Sequence, residues 1–393
     1  TGTDFTSSVE LSVTENQIIG NVQSTTSPVL SYSGPIGLVS VTRTGSLALS
    51  LHRNTTSSVF AATVTASNLP ILYGNSTFNA GQVIDTSSYS LSYLSYGSGM
   101  SPSEASTYHN IVGRLQYDLG RGGLMEGFPA AVAYSVRQLS KMSQYSVEVR
   151  RDWDNASSSI GFTSNGDLDT GSLLAFVTGS SGTGSGYVQT WYDQSGNNRH
   201  ATQTATGSQP LIINSGSLYI QNSKPAVYFN GVAGTLLENT SYSLPTSTPV
   251  SFTVVVNPSS SNNALAGLIG SNGGNGIMYY DTITWLMDGS GANENNTANV
   301  TPNNNTTQLL TGIYTTSTTQ NSYIFKNGTL GEYYTGGGVS RAGTGIQIGG
   351  RTGGGIPSRV LRGFIQEATI FNSSIIDTRS TIESNINSYF NIY

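Results

Sequence analysis

YVQTWYDQSGNNRHATQTATGSQPLIINSG, residues 187–216, is the stretch from which the fold is read. Its first run is β-branched and aromatic up to Trp191, and PLIIN resumes the same character, so both ends read as strands. Between them Asp193-Gln194-Ser195-Gly196 carries turn chemistry, because an Asp side chain accepts from backbone amides two residues on. His200 follows closely enough to hydrogen-bond that turn. We read the motif as a folding corner rather than an active site.

Outward from this corner the strand signal repeats. SLYIQ, PAVYFNG, SFTVVVNP, LAGLIG, GIMYY, TITWLM, QLLTGIYT, NSYIFKNG, GIQIGG and FIQEATIFN are short, apolar and bounded by turn residues, the signature of a large sandwich or jelly roll. VELSV, LVSVTRT, SVFAATVTA and YSLSYLSY make residues 1–100 an N-terminal β module. Ser101, Pro102, Glu104 and Gly120 supply cap, first turn, box and stop for a helical connector over 101–121, in which Ile111, Leu115 and Leu119 share a face. A second short helix is predicted from Pro129, with Ala133, Val136 and Leu139 inward. A terminal helix is predicted behind the capping box Ser380…Glu383, with Ile382, Ile386 and Tyr389 on one face. The expected fold class is all-β: a concanavalin-like jelly roll over 122–393 with a separate N-terminal module and short helices.

Composition narrows the chemistry. Of 393 residues only 9% are charged, whereas Ser and Thr together number 104, so solubility rests on hydroxyls and amides. The net charge of −5, with scattered Lys and Arg, argues against nucleic acid, which demands a basic stripe. No cysteine is present, which excludes disulfides, Cys-zinc sites and thiol catalysis. No apolar run reaches the length of a membrane span. The opening TGTDFTSSVE has neither an initiator Met nor signal-peptide character, so a processed or trimmed chain is expected. The composition inclines towards an extracellular, cell-surface or virion-surface protein.

Several longer stretches carry a resemblance. AAVAYSVRQLS (130–140), YSVEVRRDWDNASSSIGFTSNGDLDTGSLLAFV (145–177), the 187–216 motif and KPAVYFNG (224–231) resemble the catalytic domain of the fungal alpha-L-arabinofuranosidase B family. The closing FIQEATIFNSSIIDTRSTIESNINSYFNIY (364–393) is similar to the end of laminin-G-like, concanavalin-type lectin domains of bacterial, phage and large-virus surface proteins. The resemblance spans about residues 122–393 and implies a sandwich that hydrolyses or binds sugars. The fungal enzymes carry their nucleophilic carboxylate in a cysteine-containing segment midway through the sandwich. The corresponding stretch here, NNALAGLIGSNGGNGIMYYD, holds no Glu and no Cys, and only Asp281 at its edge. The family's arabinose-binding trefoil has no counterpart in these residues. Loss of catalysis is therefore expected, with a structural or adhesive role directed at glycans or glycoproteins. An arabinofuranosidase-type hydrolase is the alternative, and a shell or filament subunit without a ligand the third.

A glycosidase needs two carboxylates about 5–9.5 Å apart across the scissile bond. Asp281, Asp288 and Glu332 are the candidates; Glu383 is read as a cap, Asp377 as a helix start, and Glu367 as facing solvent or pairing with an Arg. Asp152, Asp154, Asp167 and Asp169 form an acidic cluster that would suit calcium as a cofactor, through its preference for many oxygen ligands. Ion pairs with Arg150 and Arg151, and a helix cap at Asp169, explain the same residues. For sugar binding, which takes aromatic faces and amide or hydroxyl edges, the candidates are Asn272, Asn275, Tyr279, Tyr280, Trp285, Tyr333, Tyr334 and Arg351. Val9, Leu11 and Val13 alternate on one face of a first strand, from which self-association through the N-terminal module is expected.

Overall fold

Val250–Pro258 is the strand around which the larger unit is organised, paired antiparallel with Gln308–Tyr314 on one side and Arg362–Phe371 on the other. All nine of its residues are buried. One face carries Val250, Phe252, Val254 and Val256; the other carries Ser251, Thr253, Val255 and Asn257, whose Ser and Thr hydroxyls are bonded to the Ser373 carbonyl and Thr369 Oγ1, so both faces are covered. This computed structural model describes residues 102–180, 182–245, 249–260, 266–272, 276–280, 284–288, 298–315, 320–336, 344–352 and 359–393, and the backbone of eight strands between Val9 and Thr86.

Antiparallel pairing links ten strands into a first layer, in the order Ser157–Gly161, Tyr145–Arg151, Gly186–Trp191, Leu211–Asn214, Val227–Asn230, Arg362–Phe371, Val250–Pro258, Gln308–Tyr314, Gln320–Lys326 and Thr329–Gly336. A second layer runs Ala201–Thr202, Leu237–Asn239, Ile346–Ile348, Ala266–Ser271, Gly276–Tyr280, Thr284–Asp288 and Asn299–Val300. The layers share a corner, where Trp191 pairs with Ala201. Ile346, Ile348, Leu237 and Ile277 of the second layer join Phe229, Trp191 and Val254 of the first in one core. The contact between layers is close: a Cβ on Gly349 would lie 2.1 Å from Phe229 Cδ1, and Gly349 has a φ of +74°, so only glycine fits there. The fold is mostly β with few helices, a concanavalin-like sandwich.

Helix α1 spans Pro102–Asp118, α2 Leu124–Gly127, α3 Thr170–Thr178 and α4 Arg379–Phe390. Ala105 and Val112 are the buried apolar side chains of α1, while Ile111, Leu115 and Leu119 are exposed, the reverse of the predicted apolar face. The expected cap Ser101 lies outside the described residues. α4 covers the outer face of the first layer: Ile382, Ile386 and Phe390 are fully buried, and Glu383 accepts from Thr311 Oγ1 at 2.6 Å.

Two local expectations are corrected. Residues 132–135 form a strand against Glu367–Ile370, not a helix. Its amides and carbonyls are claimed from far along the chain, since Ala133 donates to Asp193 Oδ1 and Gln194 donates from its backbone to the Ala133 carbonyl. Glu383 forms no capping box either: α4 starts at Thr378 without a side-chain cap, and Glu383 is buried against Thr311 and Arg379.

By its contacts the chain divides into Thr1–Leu115 and Gln116–Tyr393. In the first unit Val9–Val13, Gln17–Val22 and Val29–Ser31 form one sheet in that order, and Val39–Gly45, Ala48–Arg53 and Thr56–Ala61 another. Residues 89–96, predicted as a strand, lie outside the described residues. No described helix is long and apolar enough to cross a membrane.

Candidate functional site

The folding corner at 193–200 behaves as its sequence predicts and positions the first wall of a cleft. Asp193 accepts from the backbone amides of Ala133, Ser195 and Arg199 at 2.9, 3.0 and 2.9 Å, and from the Ser195 hydroxyl at 2.8 Å. Gln194 accepts from the Leu139 amide and donates to the Ser135 and Arg137 carbonyls. The Asp193 amide donates to His200 Nδ1 at 3.1 Å, which leaves the imidazole proton on Nε2. Burial lowers the His200 pKa, with Asp193 pulling the other way, so the ring is neutral at neutral pH.

From that corner, register carries the chain across the outward face of the second layer. Thr202 stands opposite Glu238, Glu238 opposite Gln347, Gln347 opposite Gly270, Gly270 opposite Gly276, and Gly276 opposite Asp288. Their neighbours Ala201, Leu237, Ile346, Ile348, Ile269 and Ile277 go into the core, which is the strand alternation that sends this row outward. At one end of the row opens a cleft of about 310 Å³ lined by His200, Thr202, Gln203, Thr204, Glu238, Asn239, Thr240 and Ser241. Its walls are hydroxyls and amides around one carboxylate and one imidazole. Gln347 Nε2 donates to Glu238 Oε1 at 3.2 Å and to Thr352 Oγ1 at 2.7 Å, and Asn239 Nδ2 to the His200 carbonyl at 2.9 Å. These bonds hold the carboxylate and the cleft rim in place.

The middle of the row is paved with glycine. Gly276 has a φ of +152°, and a Cβ on it would lie 2.1 Å from the Ile269 carbonyl, so no other residue fits. Beside it Arg351 is buried and directs Nη1 to Met278 Sδ at 3.3 Å. The dent bounded by Gly267, Gly270, Gly276, Met278 and Arg351 has about 10 Å³, room for at most one water.

The sequence-based sugar candidates are not gathered into one site. Tyr279 is 0% exposed and belongs to the core, and Arg351 is 7% exposed; both are corrected from edge ligands to packed residues. Trp285 is the cross-strand partner of Tyr279. Asn272 is half-buried in a turn at the end of Ala266–Ser271. Tyr333 is 44% exposed and leans on Tyr323, ring centroids 4.8 Å apart, on the far hairpin of the first layer. Tyr280, Tyr334 and Asp288 lie in strands whose backbone alone is described there, and Asn275 and Asp281 lie outside the described residues. The Glu332 carboxylate accepts from the Asn299 amide at 2.9 Å.

Nor are the four acids brought together as an oxygen cage. Asp152 accepts from the Ser185 amide, Asp154 pairs with Arg151 at 2.7 Å, Asp167 bonds Lys224 and Tyr389, and Asp169 caps α3 through the Ser172 amide. Among the described residues no three acidic or histidine side chains converge on a point where a metal would sit. Glu367, given two alternatives from sequence, is 0% exposed and pairs with Arg137. Sequence reasoning did not select Thr202, Gln203, Glu238 or Asn239; the polar run RHATQT after the corner is the signal that marks Thr202 and Gln203, while Glu238 and Asn239 are joined to them only by strand pairing.

No protein-family profile and no curated protein sequence matches this chain. Among solved structures it is similar to a GH54 α-L-arabinofuranosidase soaked with a cyclic sulfate inhibitor, at 19% identity over 70% of this chain and 64% of that one, TM-score 0.50. A variant of such an enzyme soaked with 4-nitrophenyl α-L-arabinofuranoside matches with the same figures. The botulinum neurotoxin serotype D ligand-binding domain in complex with N-acetylneuraminic acid matches at 11% identity over 63% of this chain and 50% of that one, TM-score 0.33. The chain spans about 64% of the length of the arabinofuranosidase structures, and the likeness is one of fold.

Proposed function

We propose that this protein is a non-catalytic glycan-binding protein of an extracellular or particle surface, which takes the hydroxyl edge of a sugar in the cleft around Glu238. The observation that carries this reading is the register row from Thr202 through Glu238 to Gln347, opening into a cleft whose walls are hydrogen-bonding groups. A sugar exchanges its water hydrogen bonds for such groups, and pre-positioned ones cost less entropy on binding. Support for the non-catalytic part comes from the same row. The strand positions of its two acidic residues, Glu238 and Asp288, are separated by four interstrand steps, about 19 Å along the backbone register, whereas a glycosidase pair spans roughly 5–9.5 Å.

Arabinofuranosides belong on the test panel because a protein of similar fold is an α-L-arabinofuranosidase whose variant was soaked with one. A glycan array probed with the intact chain is expected to give selective signal, part of which Glu238→Gln removes. An array without signal, or signal indifferent to Glu238→Gln, overturns the cleft as the site. Turnover of 4-nitrophenyl α-L-arabinofuranoside that disappears in Asp281→Asn, Asp288→Asn or Glu238→Gln overturns the non-catalytic reading.

A further inference from the structure

Trp153 is 54% exposed, yet its plane is fixed from several sides. Its indole N–H donates to the Val177 carbonyl at 3.0 Å. One face carries the Arg151 guanidinium, 3.7 Å from the ring centroid. That guanidinium is itself immobilised, donating to both Asp154 oxygens at 2.8 and 2.7 Å and to the Phe176 carbonyl at 3.0 Å, and it also lies over the Phe176 ring at 4.7 Å. Asp154 is held down to a pKa of about 2 chiefly by its hydrogen bonds from Arg151, so the pair stays ionised throughout the physiological range. At the rim of the indole stands Gly184, where a Cβ would meet the Val177 carbonyl at 2.1 Å and Trp153 Cδ1 at 3.3 Å; no side chain can be added there to cover the ring.

An indole left more than half in water forgoes the burial that makes Trp worth having, and several polar contacts are committed to keeping it in that pose. Asp152, Asp154 and Asn155, its neighbours in the chain, are exposed as well, placing oxygen acceptors and an amide around an apolar plate. We infer that Trp153 is a stacking platform for the C–H face of a neutral pyranose, whose hydroxyls are met by Asp152, Asp154 and Asn155. This rests on the glycan-binding reading for the class of ligand, not on the cleft around Glu238. A cationic ligand is disfavoured, because the ring's quadrupole already faces a guanidinium. An anionic bilayer is disfavoured by the two flanking carboxylates.

The test is saturation-transfer NMR on the full chain with methyl α-D-glucopyranoside, methyl β-D-galactopyranoside and methyl α-D-mannopyranoside as probes. For at least one probe, transfer is expected to be strongest to the protons of one ring face. Measured in the Glu238→Gln background, which removes any share of the cleft, binding is expected to weaken about tenfold or more in Trp153→Ala and to be largely kept in Trp153→Phe. Circular dichroism of both Trp153 variants separates a lost platform from a lost fold. No transfer from any probe, equal transfer in Trp153→Ala, or transfer lost equally in a folded Trp153→Phe overturns the proposal. So does displacement of the sugar by tetramethylammonium, or a blue shift of Trp153 emission on phosphatidylserine vesicles. Array signal lost in Glu238→Gln with no Trp153 effect refutes this site alone; Trp153-dependent transfer with an inert Glu238→Gln refutes the cleft alone.

Discussion

Arg137 and Glu367, 230 positions apart in sequence, meet inside the protein through two hydrogen bonds, Nε to Oε2 at 2.7 Å and Nη2 to Oε1 at 3.0 Å. The same guanidinium donates to Asn385 Oδ1 at 2.8 Å and lies over the rings of Tyr389 and Phe390. The strand at 132–135, the long strand Arg362–Phe371 and α4 are thereby joined at one ionic centre.

Breaking this centre from one side strands a charge in the interior. Arg137→Met alone is expected to destabilise the protein by about 3–5 kcal/mol, whereas Arg137→Met with Glu367→Met is expected to cost much less, because the desolvation penalty disappears with the second charge. Urea unfolding of the three variants measures it. A double variant no more stable than the single would show that the pair contributes beyond mutual neutralisation.

Asp193 receives four hydrogen bonds, three from backbone amides. Asp193→Ala would leave the amides of Ala133, Ser195 and Arg199 to find new partners, at about 1–3 kcal/mol for each that stays buried and unpaired. Asp193→Asn keeps one acceptor oxygen and is expected to lose less. Hydrogen exchange at Ala133 and Arg199 should accelerate in proportion to the loss, and unchanged protection would refute the role of the corner.

The His200 pKa is depressed from 6.5 by burial, and that of His109 likewise. Between the folded value and 6.5 the unfolded chain binds more protons, so stability is full above about pH 6.5 and falls as the solution is acidified through the folded value. Protonation also removes the acceptor for the Asp193 amide. Unfolding midpoints measured from pH 7.5 to pH 5 should decline, and His200→Asn should flatten the decline without removing the His109 share. An unaltered slope in that variant would exclude His200 as a contributor.

For the N-terminal unit, the sheet that begins with Val9–Val13 places that strand at its border, paired with Gln17–Val22 alone among the described strands. A border strand offers unpaired amides and carbonyls to another chain. Self-association through this segment is expected, and deleting residues 1–20 should lower the mass seen by light scattering. A monomeric intact chain, or an oligomer that survives the deletion, disproves it.

Short-range chemistry was legible and long-range pairing was not. Asp193 and Ser195 announce their turn within four residues, and Asp169 caps α3 as its sequence predicts, with Ser172 three positions on. Ala133, Val136 and Leu139 have a spacing that also fits a helix, and pairing with Glu367–Ile370, joined by bonds from Asp193 and Gln194, decides for a strand at 132–135. Glu238 became visible as a site residue once Thr202 and Gln347 were found on either side of it, 36 and 109 positions away in the chain. Tyr279 was misread because alternation alone does not say which face of a strand is the core; its burial opposite Ala266 decides it.

Arg362–Phe371 lies between Val227–Asn230 and Val250–Pro258 and also pairs with Val132–Ser135. A ribosome must therefore travel from Pro258 to Phe371 before the strand that unites these three segments is complete. Until then Val250–Pro258, buried on both sides in the finished fold, has one lateral partner instead of two and no α4 above it. The interval between the synthesis of Pro258 and that of Phe371 is the period in which the nascent chain most needs shelter from its neighbours.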